Sequence, residues 1–428
     1  MLFNSQRNRR AALLFLIIAT QFAFAVPQSR ARIRFDPAEG PMTDPVAITV
    51  TGLRPGARVV VTATMELVGN WRSHAMFVAD HRGEVRLDRQ QPVEGTYAGI
   101  DPMGLLWAME PDATVAGKTP SGPPDVHATI STLFRVEQDG MTVASGSLRR
   151  WFVKQGVRIT DIQERGLVGE LFEPAGGGRH PAVLVLGGSE GGFDSYAAAA
   201  FANHGYVAFA LAYFRVPMLP SELVNIPLEY FLSATDWLRT RPSVEPERIA
   251  VYGKSRGAEA ALLLPSVSPL YRVAIAVAPS NVAWAGVGTQ NAGMSAWTYQ
   301  GEPVRYVPNS TTAEKLREAG PSASEAIPIE RSRAAILLIS GLDDAVWPKG
   351  AATVMGDLIV ERLAQHKHPF PYLHLSYPEA GHSFGMFYFP GPIVAGGGGS
   401  AEGNAKAGRD STPKLFAFLR RNLDIARP

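Results

Sequence analysis

The stretch IAVYGKSRGAEAALLL, residues 249–264, places one serine between two glycines where a strand pattern changes into a helix pattern. Apolar, partly β-branched residues up to Tyr252 predict a strand, and the alanine- and leucine-rich residues after Gly257 predict a helix. The junction Gly253-Lys-Ser-Arg-Gly257 fits G-x-S-x-G. A serine on so tight a turn has strained backbone angles. At the two flanking positions a side chain would collide with the neighbouring strand and helix, and glycine has none. The stretch therefore predicts a hydroxyl at the carboxyl end of a strand, beside a helix amino end.

The chain after Gly156 alternates apolar strands with helices. Strands apolar on both faces that alternate with helices predict a mostly parallel sheet covered on both sides. The expected strands are Ala182–Leu186, Val207–Leu211, Arg248–Tyr252, Val273–Val277, Ala334–Ile339 and Tyr372–Ser376. The expected helices are Ser195–His204, Leu228–Arg239, Ala351–Gln365 and Pro413–Leu423.

Two parts of this region break the alternation. Residues 279–330 carry Trp284 and Trp297 among glycines, and they are a candidate lid or pocket wall or, equally, a passive surface loop. The run Gly396–Gly399 is expected to be flexible.

The segment from Arg32 to Lys154 has a different pattern, in which short stretches of alternating apolar and polar residues are separated by Gly/Pro turns. Many short strands at close spacing predict an all-β sandwich. The expected division is a signal peptide at 1–25, a β-sandwich domain at 30–155 and a catalytic domain at 156–428.

Residues 1–25 have the pattern of a secretory leader. Three arginines precede an apolar run that closes on Ala23-Phe-Ala25, the small-x-small pattern of a cleavage site. The alternatives are an uncleaved anchor and a misassigned start, although the run is short for the roughly 20 residues of a spanning helix. If the leader is real, the protein is expected to be exported, either to the periplasm or out of the cell. Without a leader, it is expected to be cytoplasmic. No later segment of the mature chain is long and apolar enough to span a membrane.

Composition narrows the possible partners. The chain of 428 residues has 41 Lys+Arg against 39 Asp+Glu, a balance that gives no argument for nucleic acid or a membrane surface. It has no cysteine, which excludes disulfides, thiolate metal sites and a cysteine nucleophile. No cofactor and no metal are expected, and the oligomeric state stays open.

The serine needs two further groups, because its hydroxyl is a weak nucleophile until a histidine accepts its proton and an acid orients that histidine. In chain order these follow as Ser, Asp/Glu, His. Asp343 and Asp344 both follow the strand ending at Ile339. Asp344 is favoured from expected loop geometry, with Asp343 capping the turn. His382 lies in a loop after the following strand, so the predicted triad is Ser255, Asp344 and His382.

An oxyanion hole is expected from two backbone N–H groups. One belongs to Arg256, after the serine, and the other to the glycine-rich turn Leu186–Gly192, where Ser189 is the predicted donor. This turn lacks the G-K-[S/T] ending and the dinucleotide spacing, so a nucleotide site is discounted.

Five stretches together resemble one family, that of acyl-CoA thioesterases and bile acid-CoA:amino acid N-acyltransferases. The resemblance runs from about Arg32 to the C-terminus in the family's order. The stretches are GTYAGIDPMGLLWAMEP (Gly95–Pro111), LEYFLSATDWL (Leu228–Leu238), GKSRGAE (Gly253–Glu259), PIERSRAAILLISGLDD (Pro328–Asp344) and AGHSF (Ala380–Phe384).

The resemblance implies an immunoglobulin-like sandwich on an α/β-hydrolase that cleaves thioesters through an acyl-serine. By this resemblance, Ser255 corresponds to the family's nucleophile, Asp344 to its acid and His382 to its base. Members that transfer the acyl group to an amino acid use a cysteine nucleophile, so the serine here favours water as acceptor. Lys254 and Arg256 either meet a coenzyme A phosphate or pair with acids such as Glu259.

Two other functions remain open. An exported carboxylesterase acting on oxygen esters or lactones would fit the leader better, because acyl-CoA is found inside cells. A non-catalytic binding protein that keeps the fold is disfavoured by the apparently intact triad.

Overall fold

The computed structural model describes residues 30–67, 69–112, 124–289, 293–386, 388, 390 and 395–423. The leader predicted at residues 1–25 lies outside the described residues. Among the residues that are described, no helix is long and apolar enough to cross a membrane.

The N-terminal part is a β domain of two packed sheets. One sheet has the order β1-β3-β6 and the other β2-β10-β9-β4-β5-β7, with β8 paired to β5. Ile48 and Val50 of the first sheet share one buried cluster with Val61, Phe77 and Phe134 of the second, so the sheets face each other across a common core. The strands are β1 Arg32–Asp36, β2 Glu39–Pro41, β3 Ala47–Thr51, β4 Arg58–Glu66, β5 Asn70–Val78, β6 Val85–Arg86, β7 Glu94–Gly95, β8 Glu110–Pro111, β9 Thr129–Gln138 and β10 Met141–Trp151, with a short helix α1 at Gly104–Trp107.

The second part is built on an eight-stranded sheet of order β11-β12-β14-β13-β16-β17-β22-β23. Strand β12 is antiparallel to both of its neighbours, and every pairing from β14 to β23 is parallel. The strands are β11 Arg158–Glu164, β12 Leu167–Glu173, β13 His180–Leu186, β14 Val207–Ala212, β16 Val244–Lys254, β17 Val273–Val277, β22 Ala335–Gly341 and β23 Tyr372–Tyr377. The predicted mostly parallel sheet is confirmed.

Helices cover both faces of this sheet, as the doubly apolar strands predict. They are α2 Ser195–Asn203, α3 Leu228–Arg239, α4 Arg256–Val267, α5 Ala313–Ala319, α6 Ala352–Gln365 and α7 Ala401–Leu423, with 3-10 turns at Ile329–Arg331 and Ala395–Gly397.

The last helix is longer than its sequence predicts. The expected start at Pro413 is wrong, because α7 begins at Ala401 and carries Pro413 inside it. Gly403, Asn404 and Gly408 weaken the local helix pattern, yet all three are buried in the structure. Packing of this early half against the rest of the protein therefore outweighs its poor helix propensity.

The described residues of the irregular segment, 279–289 and 293–330, are folded onto the sheet. They include the short strands β18 Ala283–Trp284, β19 Trp297–Tyr299, β20 Glu302–Pro303 and β21 Tyr306–Val307, which pair outside the main sheet. Another short strand, β15 Ile226–Pro227, pairs with β19. Trp284 and Trp297 are 1% and 0% exposed. This burial argues against a passive surface loop, because two tryptophans are committed to the core.

Helix α7 also contacts the β domain, through Asp101. The Asp101 carboxylate is 4% exposed and accepts hydrogen bonds from the Met103 amide (2.9 Å) and the Trp107 indole (3.0 Å). The Arg409 guanidinium of α7 lies 2.6 Å from the same carboxylate. One buried acid therefore orders the loop around α1 and ties it to the C-terminal helix.

The turn between β16 and α4 depends on close backbone contact. A Cβ on Gly257 would lie 2.2 Å from the Gly187 carbonyl oxygen and 2.6 Å from that of Leu186. A Cβ on Gly253 would lie 2.0 Å from the Gly257 carbonyl oxygen. Gly257 is required because the backbone of α4 lies directly against the end of β13, and Gly253 is required because the chain turns back onto the first residues of α4.

We expect Asp101→Ala to lower the free energy of unfolding by about 3 kcal/mol, because it leaves two donors and a guanidinium without their buried partner. Arg149→Ala, which removes an exposed ion pair with Glu39, is the control and should change it by less than about 1 kcal/mol. Urea unfolding followed by circular dichroism measures both. Equal effects of the two variants would contradict the structural role of Asp101.

We expect Gly257→Ala to destabilise the fold by about 1–3 kcal/mol or more, because the new methyl group overlaps two carbonyl oxygens that belong to backbone. The matched control is Gly40→Ala, whose Cβ meets only a proline ring carbon at an ordinary 3.6 Å. Urea denaturation is again the measurement, and a Gly257→Ala protein as stable as the control would show that the elbow has room to relax.

Candidate active site

Ser255 lies between the end of β16 and the first residue of α4. Its backbone angles, φ 56° and ψ −120°, are unusual for a residue with a side chain, and the residue is 5% exposed. The Ser255 amide donates to the Val277 carbonyl of the neighbouring strand at 2.9 Å. The serine is therefore held in a strained turn at the carboxyl edge of the sheet, where α/β proteins bind their ligands.

Asp344 follows β22 and His382 follows β23, at the same edge of the sheet, and the two side chains contact each other. His382 Nδ1 lies 2.7 Å from Asp344 Oδ2, and the Asp344 side chain has no exposed surface. The other carboxylate oxygen accepts from the amides of Val346 (2.8 Å) and Trp347 (3.0 Å). The structure thus brings Asp344 to the imidazole, while Asp343 is exposed.

The glycine run expected to be flexible is in contact with both of these loops. The Gly397 carbonyl accepts from the amides of His382 (2.7 Å) and Ala345 (3.1 Å). The Gly399 amide donates to the Asp343 carbonyl at 3.0 Å. Glycine permits this approach because a Cβ on Gly398 would lie 2.2 Å from the Asp343 carbonyl oxygen. The run therefore braces the acid-bearing loop against the histidine-bearing loop.

Trp347 connects the histidine to the strands beside Ser255. Its ring centroid lies 5.7 Å from that of His382, in an edge-on arrangement. Its indole N–H donates to the Ala278 carbonyl at 3.1 Å, one residue beyond the partner of the Ser255 amide. Trp347 also stacks on Trp284, with 5.5 Å between centroids. Sequence reasoning missed Trp347, although its position three residues after Asp344 is a usable signal.

The turn after β13 adjoins the serine on its other side. A Cβ on Gly188 would lie 3.2 Å from the Ser255 Cβ. The Tyr213 hydroxyl donates to the Gly187 carbonyl at 2.7 Å and holds the turn in place. Within the part of the chain that the structure describes, the amides of Ser189 and Arg256 donate to no protein acceptor. Both predicted donors therefore remain available for another acceptor.

The two cations that flank the serine are both paired with acids. Lys254 Nζ lies 3.1 Å from the Glu190 carboxylate. Burial alone would lower the pKa of Lys254, but Asp194 and Glu190 raise it above its ordinary value. Arg256 Nε likewise lies 3.1 Å from the Glu259 carboxylate. Of the two roles considered for these cations, contact with a coenzyme A phosphate and pairing with nearby acids, the structure therefore shows the second.

The Arg256–Glu259 pair is almost completely buried, with side chains 5% and 0% exposed. Burial raises the pKa of Glu259 to about 7, against the opposing effects of Arg256, the Trp297 indole and the Trp284 amide. A buried carboxylate requires such partners because desolvation of its charge is costly. Sequence reasoning named Glu259 only as a possible ion-pair partner and could not supply its two tryptophan contacts.

A cavity of about 170 Å³ lies at the same edge of the sheet, toward α2 and α7. Its lining includes Lys254 and Ser383, the chain neighbours of Ser255 and His382, and the apolar side chains of Val277, Phe384 and Leu415. Apolar space therefore adjoins the turn that carries Ser255 and the loop that carries His382. Among the described residues, no group of three or more His, Asp or Glu is arranged to hold a metal ion.

Two family profiles match the chain and together cover more than half of it. Residues 43–164 match the acyl-CoA thioester hydrolase/BAAT N-terminal region. Residues 226–424 match the BAAT/acyl-CoA thioester hydrolase C terminal. The matches fall on the β domain and on the larger part of the α/β domain, including all three residues of the predicted triad.

Individual proteins are similar over almost the whole chain. Acyl-coenzyme A thioesterase 6 of Mus musculus is 30% identical over 422 residues, which cover 90% of this chain and 95% of the relative. Acyl-coenzyme A thioesterase 1 of Homo sapiens is 29% identical over 413 residues, 89% of this chain and 94% of the relative. The crystal structure of MGS-M1, an alpha/beta hydrolase enzyme from a Medee basin deep-sea metagenome library, is similar with a TM-score of 0.41 and 18% identity, over 64% of this chain and 100% of that chain. On its two profile matches and full-length relatives, this chain belongs to the acyl-CoA thioester hydrolase/BAAT family.

Proposed function

We propose that this enzyme hydrolyses acyl-coenzyme A thioesters through an acyl-serine on Ser255. His382 acts as the general base and acid, Asp344 orients it, and the amides of Arg256 and Ser189 form the oxyanion hole. The substrate class comes from the family and from relatives that are named acyl-coenzyme A thioesterases.

The observation that carries the proposal is the 2.7 Å contact between His382 Nδ1 and the fully buried Asp344 carboxylate. A carboxylate that accepts from Nδ1–H fixes the tautomer, so that Nε2 has the free lone pair. The two amides that donate to the other oxygen of Asp344 keep the carboxylate oriented toward the imidazole. This arrangement, at the same edge as a strained serine, supports base catalysis of serine attack.

Acylation begins when Ser255 Oγ attacks the thioester carbonyl carbon while its proton moves to His382 Nε2. The carbonyl oxygen becomes an oxyanion that accepts from the amides of Arg256 and Ser189, each contributing about 3–4 kcal/mol. Their freedom from protein acceptors supports this role. The intermediate then collapses, the carbon–sulfur bond breaks and the thiol leaves with a proton.

Deacylation repeats these steps with water. His382 takes a proton from the water as its oxygen attacks the acyl-serine carbonyl, and the same two amides stabilise the second oxyanion. Collapse releases the carboxylic acid and returns the proton from His382 to Ser255. A thiolate leaves readily, so the histidine matters most in this half of the reaction.

The leader pattern at residues 1–25 favours a second candidate, an exported carboxylesterase that uses the same residues on oxygen esters or lactones. Such an enzyme would meet esters rather than acyl-coenzyme A outside the cytoplasm. It would need the same triad and oxyanion hole, so the two candidates differ in substrate preference and not in catalytic groups.

The deciding experiment measures thiol release from acyl-coenzyme A of increasing chain length, beside hydrolysis of short p-nitrophenyl esters. We expect the thioesters to be preferred, and Ser255→Ala and Asp344→Asn each to lower kcat by about 10⁴-fold, because the nucleophile or the correct histidine tautomer is lost. Ester turnover without thioester turnover would instead establish the carboxylesterase.

Asp343→Asn is the matched control for the acid. The exposed Asp343 side chain is adjacent in sequence to Asp344, so its neutralisation should leave kcat within about threefold of the wild type. A large loss in Asp343→Asn together with an active Asp344→Asn would reassign the acid. Hydrolysis that survives Ser255→Ala would exclude the acyl-serine mechanism altogether.

A further inference from the structure

One buried carboxylate, Glu259, connects the nucleophile turn to the irregular segment. Glu259 lies one helical turn after Ser255 in α4 and has no exposed surface. Its Oε2 accepts from the Trp297 indole at 2.9 Å and from the Trp284 amide at 3.3 Å. Its Oε1 lies 3.1 Å from Arg256 Nε. A single side chain thus accepts hydrogen bonds from both ends of the stretch formed by residues 284–289 and 293–297, and it forms an ion pair with the residue that follows the serine.

Arg256 makes a second connection to the same stretch. Its Nη2 donates to the carbonyl oxygens of Trp284 (2.9 Å) and Ala285 (3.0 Å). The guanidinium therefore contacts two backbone carbonyls as well as Glu259. Because the amide of this same residue is a proposed oxyanion donor, anchoring its side chain also limits how far that amide can turn.

The two tryptophans bonded to Glu259 contact groups on opposite sides of the serine. On one side, Trp284 stacks on Trp347, whose ring lies against His382. On the other side, Trp297 packs against Tyr213, with 5.8 Å between ring centroids. The Tyr213 hydroxyl in turn donates to the Gly187 carbonyl of the glycine-rich turn Leu186–Gly192. The pair is therefore joined by buried contacts to the base on one side and to the glycine-rich turn on the other.

We propose that Arg256 and Glu259 are positioning residues, which set the positions of His382 and of the glycine-rich turn Leu186–Gly192 relative to Ser255 by holding residues 284–289 and 293–297 between them. The inference rests on the proposed function, since it assigns the pair a role only in the geometry of that site. The stretch is then a fixed wall of the site and not a moving lid.

A purely stabilising role accounts less well for the pair. Burying two charges costs several kcal/mol of desolvation, and apolar residues of similar size often stabilise a core as well or better. The directional bonds to Trp284, Ala285 and Trp297 are what apolar residues would lose. Such bonds define positions to within a few tenths of an ångström, and a misplacement of about 1 Å costs about 10²-fold in rate.

The test is Glu259→Gln, assayed for thioester hydrolysis at pH 8, where the wild-type carboxylate is ionised. The amide still accepts from the tryptophan N–H groups, but it points its own N–H toward Arg256 and so breaks the pair. We expect kcat to fall by about 10- to 100-fold and KM to change by less than about threefold, because positioning in the transition state is lost and not substrate binding.

The chain offers a matched control in a second buried pair, Arg362–Glu330, whose side chains are 13% and 10% exposed. Arg362 also bonds a backbone carbonyl, that of Pro321, at 2.7 Å. Glu330→Gln should therefore lower the thermal midpoint comparably while leaving kcat within about twofold. Equal effects of the two variants on kcat, or none in either, would overturn the positioning role.

Two additions keep the result decisive. If Glu259→Gln does not fold, Arg256→Lys and Arg256→Gln replace it, and the lysine variant should keep more activity because it preserves the charge opposite Glu259. If the wild type releases no coenzyme A, the labelling rate of Ser255 by a fluorophosphonate is compared instead. Slower labelling in Glu259→Gln than in Glu330→Gln would sustain the inference although the proposed substrate had failed, and equal rates would overturn it.

Discussion

The contact between the backbone of Gly257 and the carbonyl oxygens of Leu186 and Gly187 is the constraint on which the site depends. It leaves no room for a side chain, so the start of α4 lies directly against the end of β13. Because β13 and β16 are parallel neighbours, their carboxyl ends meet at one edge. The serine turn and the glycine-rich turn are therefore forced together, and the space beside Ser255 is bordered by backbone amides.

Buried acids organise the rest of the molecule around this contact. Asp344 contacts the His382 imidazole, Glu259 accepts from two tryptophans, and Asp101 joins the β domain to helix α7. Each carboxylate is almost or completely buried, and each is surrounded by N–H donors that offset its desolvation. Hydrogen bonds to a carboxylate are directional, so every one of these acids also sets the position of the backbone or ring that donates to it.

The β domain and the C-terminal helix contribute to the site from a distance. Asp101 anchors α7 through Arg409. The Asn404 side chain of the same helix accepts from the Gly381 amide at 2.8 Å and donates to the Gly398 carbonyl at 3.2 Å. Movement of α7 would therefore act on the loop that carries His382. The β domain is therefore connected through α7 to the loop that carries His382.

Local sequence patterns predicted the six parallel strands of the large sheet, most helices and the serine turn, because each of these depends on residues close together in the chain. Apolar runs predicted the parallel strands, and two glycines around Ser255 predicted the turn. Chain order and loop position selected His382, and expected loop geometry favoured Asp344 over Asp343. Only the tertiary structure decided the early start of α7, the contacts of Gly397–Gly399 and the partners of Glu259. These depend on groups far apart in the chain, such as Glu259 and Trp297, which are brought together only by tertiary packing, so no local pattern could reveal them.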